Sequence, residues 1–230
     1  MLADIAYRIT GYHYKDIHKA FESISSGMDS PDIIEACELL ETMINQKLSQ
    51  IKPAITTKNN PELLVVAGIP YSGKSTHIRA HISPLLKQNT SCIVSFDDIM
   101  QTMPLYQRLM LNNGAETAFL NTELVARIAG YELLSRAIQQ GHSIIFEHSS
   151  ALQEHVNLYR IIKQEFAYST QMQVLKISLE QAYQRASSNQ QRDSGRHTPK
   201  AYIEDRHQAL NSLLPEYESI MPVHYIESHQ

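Results

Sequence analysis

Residues 63–78 read LLVVAGIPYSGKSTHI. Leu63 to Ala67 form a short, unbroken apolar run, suited to a strand covered on both faces. The eight residues that follow, GIPYSGKS, fit the spacing G-x-x-x-x-G-K-[ST]. Gly68 and Gly73 let the backbone curl so that successive N–H groups converge on phosphate oxygens. Ile69, Pro70, Tyr71 and Ser72 complete the loop and, with Thr76, are expected to line a bound nucleotide. Lys74 supplies a mobile positive charge for the terminal phosphates, and the Ser75 hydroxyl is placed to hold Mg²⁺. A helix starting near residue 74 adds its positive end at the same point. Strand, glycine loop and helix in this order are the context such a loop requires.

Outward from this loop, apolar runs and helical patterns alternate. SCIVSF (91–96), SIIFE (143–147), MQVLKI (172–177) and VHYI (223–226) read as further strands. AETAFLNTELVARIAGYELLSRAIQQG (115–141) reads as one long helix stopped at Gly141. SALQEHVNLYRIIKQEF (150–166) reads as another, and two more flank a polar turn at 190–198. The expected fold is therefore α/β: a P-loop NTPase or kinase domain over 61–230, with a parallel sheet and helices on both faces. Residues 1–60 form a small helical element before it. Within that element, residues 31–52 carry an apolar stripe with Pro31 at the first helical position. A linker, TTKNNPE (56–62), leads into the sheet.

Composition narrows the function classes. Hydrophobic residues at 43% and charged residues at 19% exclude a disordered or fibrous chain. A net charge of −4 and the absence of Trp argue against a general nucleic-acid binder. Cys37 and Cys92 form neither a metal nor a redox spacing, so a reducing compartment is expected. No apolar run reaches the roughly 20 residues of a membrane span. The start MLADIAYRITGYHYK lacks a basic region and carries Asp4 and Arg8 where a signal peptide would be apolar. A cytoplasmic protein without membrane contact is expected; an effector exported on an uncleaved signal would look the same.

Guanine-reading N-K-x-D, switch D-x-x-G and transporter L-S-G-G strings are all absent, which favours a small kinase. The second strand leads into Asp97, which lies near the phosphate loop if that strand neighbours the first. There it can take a proton from an attacking hydroxyl, or help hold Mg²⁺; the alternative is that Asp97 or Asp98 only caps the next helix. Glu147, ending the third strand, is placed to orient an acceptor hydroxyl or to contact Mg²⁺ through water, or starts a helix with Ser149 and Ser150 as caps. Arg185, Arg192, Arg196 and Lys200 face only Asp193 between 185 and 200, so QQRDSGRHTP reads as a basic lid or as a solvated loop. His77 and His81 share a helical face, and Arg8 with His13 loosely matches R-x₄-H; neither finds the further partners its chemistry needs.

Taken together, these residues resemble the zeta-toxin-like P-loop kinases over roughly residues 40–210. GIPYSGKS resembles their nucleotide loop, and FDDIMQTMP is similar to their D-x-x-[RK]-x-x-H-P segment. The resemblance implies Asp97 as general base, Glu147 as acceptor-binding residue, and Arg185 and Arg196 as the two lid arginines, with Arg192 competing for the first of these roles. It implies ATP or GTP with Mg²⁺, a small hydroxylated acceptor such as UDP-N-acetylglucosamine, and an antitoxin or inhibitor protein as partner. Met100, Met103, His148-Ser149 and Ala151 depart from the pattern, all on the acceptor side. A polynucleotide 5′-kinase and a non-catalytic nucleotide-binding switch are the alternative readings.

Overall fold

The structure, a computed structural model, describes residues 1–24, 30–51, 60–85, 90–190 and 198–227. Five strands, β1 (Glu62–Ala67), β2 (Ser91–Ser95), β3 (Ser143–His148), β4 (Ser169–Lys176) and β5 (Val223–Glu227), form one parallel sheet in the order β2-β3-β1-β4-β5. All five expected strands are present. The order carries one correction. β2 does not neighbour β1, because β3 lies between them, pairing Val66 with Glu147 and Ser95 with Glu147.

Helix α1 (Leu2–Thr10), α2 (Ile17–Ile24) and α3 (Ser30–Ser49) form the N-terminal element. After β1 comes α4 (Lys74–His77), which continues through a π-helical turn at Ile78–Ile82 and a 3₁₀ turn at Ser83–Leu85. The helices α5 (Phe96–Thr102), α6 (Pro104–Leu120, broken by a kink at Gly114) and α7 (Glu123–Gln139) connect β2 to β3. Then α8 (Gln153–Glu165) precedes β4, while α9 (Leu179–Gln190) and α10 (Lys200–Ile220) precede β5.

The long helix expected at 115–141 is two helices. Asn121 Nδ2 donates to the Thr117 carbonyl at 2.8 Å and Thr122 Oγ1 to the Ala118 carbonyl at 2.6 Å. These side chains occupy the last carbonyls of α6, and the chain turns before α7. Gly141 does end α7: it sits at φ 70°, with its N–H on the Ile138 carbonyl and His142 N–H on Ala137. That left-handed position is where glycine carries no Cβ penalty.

Strand alternation sorts the core. Leu63, Val65, Ala67, Val94, Ile144, Phe146, Met172 and Val174 join one large cluster beneath α5–α8 and α10. Val66, Ile145 and Leu175 point the other way, onto Ile78 and Ile82 of the helix after the loop. The N-terminal helices belong to the larger cluster, through Leu2, Ile5, Ile17, Phe21, Leu40, Ile44 and Leu48. Arg136 on α7 clamps Glu41 on α3 with two bonds of 2.7 and 2.9 Å, and Tyr14 donates to the same carboxylate at 3.0 Å. No helix among the described residues is long and apolar enough to cross a membrane.

Candidate active site

Because β3 lies between β2 and β1, the C-terminal ends of β1, β3 and β2 open side by side on one cleft edge. The loop after β1 turns at Gly73, in the left-handed region at φ 89°, and α4 begins at the next residue. Gly68 is required for close approach: a Cβ there would fall 2.5 Å from Ser72 Oγ and 3.2 Å from the Leu175 carbonyl. Tyr71 sits at φ 65°, a strained position for an aromatic residue and a mark of a loop shaped for binding. Lys74 Nζ donates to the carbonyls of Gly68 and Ile69 at 3.0 and 3.1 Å, so the cation is folded back over the loop.

Strand periodicity then decides which side chains meet. Glu147 follows Ile145 on the α4 face of β3, and there it accepts a 2.7 Å hydrogen bond from Ser75 Oγ. The Glu147 carboxyl is buried, and burial pushes its pKa up against the opposing pull of Lys74 and Ser75. His148 follows Phe146 onto the opposite face and stacks on it at 4.8 Å between centroids. It has aromatic neighbours in Phe96, Tyr131 and His155. Its Nδ1 accepts from Ser150 N–H at 2.9 Å, while Nδ1 of His155 accepts from Leu152 N–H at 3.1 Å. Both Nε2 atoms approach Tyr131 Oη, at 3.4 and 2.9 Å. Burial, with Arg127 and Arg206 acting the same way, holds both rings neutral and lowers His155 to about 3.

Asp97 and Asp98 do not lie on the strand. β2 ends at Ser95, whose Oγ caps α5 by accepting Asp98 N–H at 3.3 Å, so both acids occupy the first helical turn. The cap is therefore Ser95, not an aspartate. Asp97 faces two clefts. One, of about 1040 Å³, runs along Tyr71, Gly73 to His77, Gln181 and Arg185. The other, of about 70 Å³, lies beyond Lys74 and Glu147 toward Arg127, His155, Tyr202 and Arg206. Asp98 lines only the first. Lys74 and Glu147 border both.

Arg185, on α9, donates to the Tyr71 carbonyl at 3.2 Å and so reaches the loop from the far wall. Arg192 and Arg196 lie outside the described residues. Met100, Met103 and Ala151 are buried, and Met100 forms part of the smaller cleft's wall. Ser149 and Ser150 do not cap α8, because Ser150 adopts φ 53° and the helix starts at Gln153. His77 bonds Gln173 at 2.8 Å, and His13 stacks on Tyr7. No group of three or more His, Cys, Asp or Glu among the described residues could hold a metal. A hydroxyl and a carboxylate beside the loop do suit a hard cation that also takes phosphate oxygens.

Sequence reasoning missed Arg127, Tyr202 and Arg206. Arg127 is the one cation in the otherwise apolar and small run LVARIAG of α7, a detectable sign of a special position. Arg206, within IEDRHQ, had no such sign.

A phosphate loop at the head of a parallel sheet, with Glu147 on the adjoining strand and Asp97 in the helical turn just beyond the next, has the architecture of the P-loop kinases. The chain belongs to the zeta toxin family, whose model matches residues 45–226. No curated protein is matched by sequence. Among solved structures, the fold is shared with one from the PezAT chromosomal toxin–antitoxin system of Streptococcus pneumoniae. That match has a TM-score of 0.63 and 13% identity, covering 88% of this chain and 80% of the other. AvrRxo1-ORF1:-ORF2 with ATP matches at TM-score 0.61 and 12% identity, over 85% of this chain and 65% of that one. A putative kinase from Chloroflexus aurantiacus matches at 0.50 and 17%, over 74% and 89%.

Proposed function

We propose that the chain transfers the γ-phosphoryl group of ATP or GTP to a hydroxyl of a small polar metabolite. The observation that carries this reading is the shared cleft edge, where Asp97, Lys74 and Glu147 border two adjoining spaces and Ser75 is bonded to Glu147. In it, the loop N–H groups and Lys74 bind the phosphates, and Lys74 leaves the Gly68 and Ile69 carbonyls to do so. Ser75 and Glu147 would hold Mg²⁺, which when bound neutralises phosphate charge. Asp97 takes the proton of the acceptor hydroxyl as its oxygen bonds the γ-phosphorus. The bond to the bridging oxygen breaks and the nucleoside diphosphate leaves. Arg185, with Arg196 or Arg192, neutralises charge that grows on the transferring group.

The family resemblance favours a nucleotide sugar as acceptor, UDP-N-acetylglucosamine among them, and Glu147 offers a carboxylate able to fix its hydroxyls. A cognate inhibitor protein fits the same reading, since the pneumococcal neighbour comes from a toxin–antitoxin system. The test is incubation with nucleotide, Mg²⁺ and a panel of nucleotide sugars, sugar phosphates and 5′-hydroxyl oligonucleotides, read by mass spectrometry for one added phosphate. The expected result is a phosphorylated metabolite with wild type and none with Lys74→Ala. Nucleotide binding without a product on any acceptor would favour a binding switch, and a product only on oligonucleotides would overturn the acceptor class.

A further inference from the structure

The smaller cleft holds two guanidinium groups that the nucleotide half does not use. Arg127 reaches it from α7 and Arg206 from α10, and His155 lines the same space. Arg127 has its Glu123 neighbour one turn back, with Nη1 3.5 Å from Oε1. Arg206 is stacked over the Tyr202 ring at 4.7 Å, which holds the plane of its fork. Its Nε is buried and makes no hydrogen bond among the described residues; Asp205 Oδ2 lies 3.3 Å away without accepting from it. Asp205 pairs with it by charge at that distance but leaves the N–H without an aligned acceptor, which a bound oxyanion would supply.

Met100 is buried in the wall of this cleft and brings no charge to it. A thioether cannot bind an anion, whereas two arginines from other helices can do so from the facing side. The acids facing the same space are Glu123, Asp97 and Glu147. Glu123 is engaged with Arg127, and Asp97 and Glu147 lie at the end shared with the nucleotide cleft. The polar end bounded by Tyr202 and Arg206 is where an anion finds cationic neighbours.

The geometry points to Arg127 and Arg206 as an anion clamp that selects a phosphate-bearing acceptor and turns its free hydroxyl toward Asp97. This rests on the kinase reading for its purpose, but the clamp can be measured separately.

The protein is first saturated with Mg²⁺ and a non-hydrolysable ATP analogue, so that the phosphate loop is closed to other anions. Glycerol 3-phosphate, glycerate and glycerol are then titrated, with binding read by saturation-transfer NMR. Glycerol 3-phosphate should bind and glycerol should not. Arg206→Gln should weaken that binding about tenfold or more, Arg127→Gln by a similar or smaller factor, and Arg206→Lys less than either. Affinity for the ATP analogue should stay unchanged in all three variants, and their thermal melts should report folding. Absence of glycerol 3-phosphate binding, equal affinity in wild type and Arg206→Gln, or a preference for glycerate would overturn the clamp. Repeating the wild-type and Arg206→Gln titrations without the ATP analogue keeps the two readings apart. Loss of nucleotide binding in wild type would sink the kinase reading, while the clamp would still be judged by its own ligand.

Discussion

The two halves of the active cleft are built by different means. The nucleotide half is a contiguous segment: Gly68 to Thr76 supply the loop, the cation and the hydroxyl within nine positions. Its geometry is a backbone property, set by two glycines and a helix start. The facing half takes Asp97 from α5, Arg127 from α7, His148 from β3, His155 from α8 and Arg206 from α10. It exists only because those elements pack. The phosphate-binding loop is thus one short motif, whereas in the proposed reaction the acceptor would meet side chains brought together from five elements.

If that division is right, the largest effects should come from the shared edge. Asp97→Asn should cut acceptor phosphorylation by about 10²–10⁴-fold while leaving nucleotide affinity intact, as steady-state kinetics and equilibrium binding would show. Should Asp98→Asn be inactive and Asp97→Asn active, the division would fail, because Asp98 faces only the nucleotide cleft. Lys74→Ala should act on the other half, weakening nucleotide binding or abolishing turnover without unfolding the chain, measured by calorimetry, turnover assay and circular dichroism. Unchanged affinity together with unchanged turnover would remove the loop from the mechanism.

Packing behind the acceptor half offers the next effect. A Cβ on Gly130 of α7 would overlap Cδ1 and Cε1 of the Phe96 ring. Phe96 begins α5, directly before Asp97. Gly130→Ala should thus cost about 1–3 kcal/mol in urea unfolding, through displacement of that ring. It should also lower turnover more than nucleotide affinity. Equal stability would show that the α5–α7 contact is looser than its geometry.

The smallest effect is a pH slope. His155 is lowered from its ordinary 6.5 to about 3. As pH falls below 6.5 the unfolded chain binds a proton that the folded chain refuses, so stability should fall with pH, by up to about 1.4 kcal/mol per unit. His148 adds in the same direction. His155→Asn should flatten this acid limb between about pH 6.5 and 5, read as urea midpoints across the range. An unchanged slope would mean that other groups carry it.

The five strands, the phosphate loop and the stop at Gly141 could be read directly because each depends on neighbours in the chain. Apolar runs bury on both faces, glycine alone tolerates the left-handed turn, and lysine and serine follow it at a set spacing. Asp97 and Glu147 could also be singled out, as acids at or just after apolar runs, and both line the cleft. Tertiary structure decided the rest. The placement of β3 between β1 and β2 depends on long-range pairing, and it brings Glu147 to Ser75. Period-two alternation could place Glu147 and His148 on opposite faces, but only the packed helices showed what each would meet. Asn121 and Thr122 split a helix that periodicity ran together, because their side chains claim the last carbonyls of α6. Arg206 gave no local sign at all: a charged residue on a polar helix becomes part of a site only when that helix closes over the cleft.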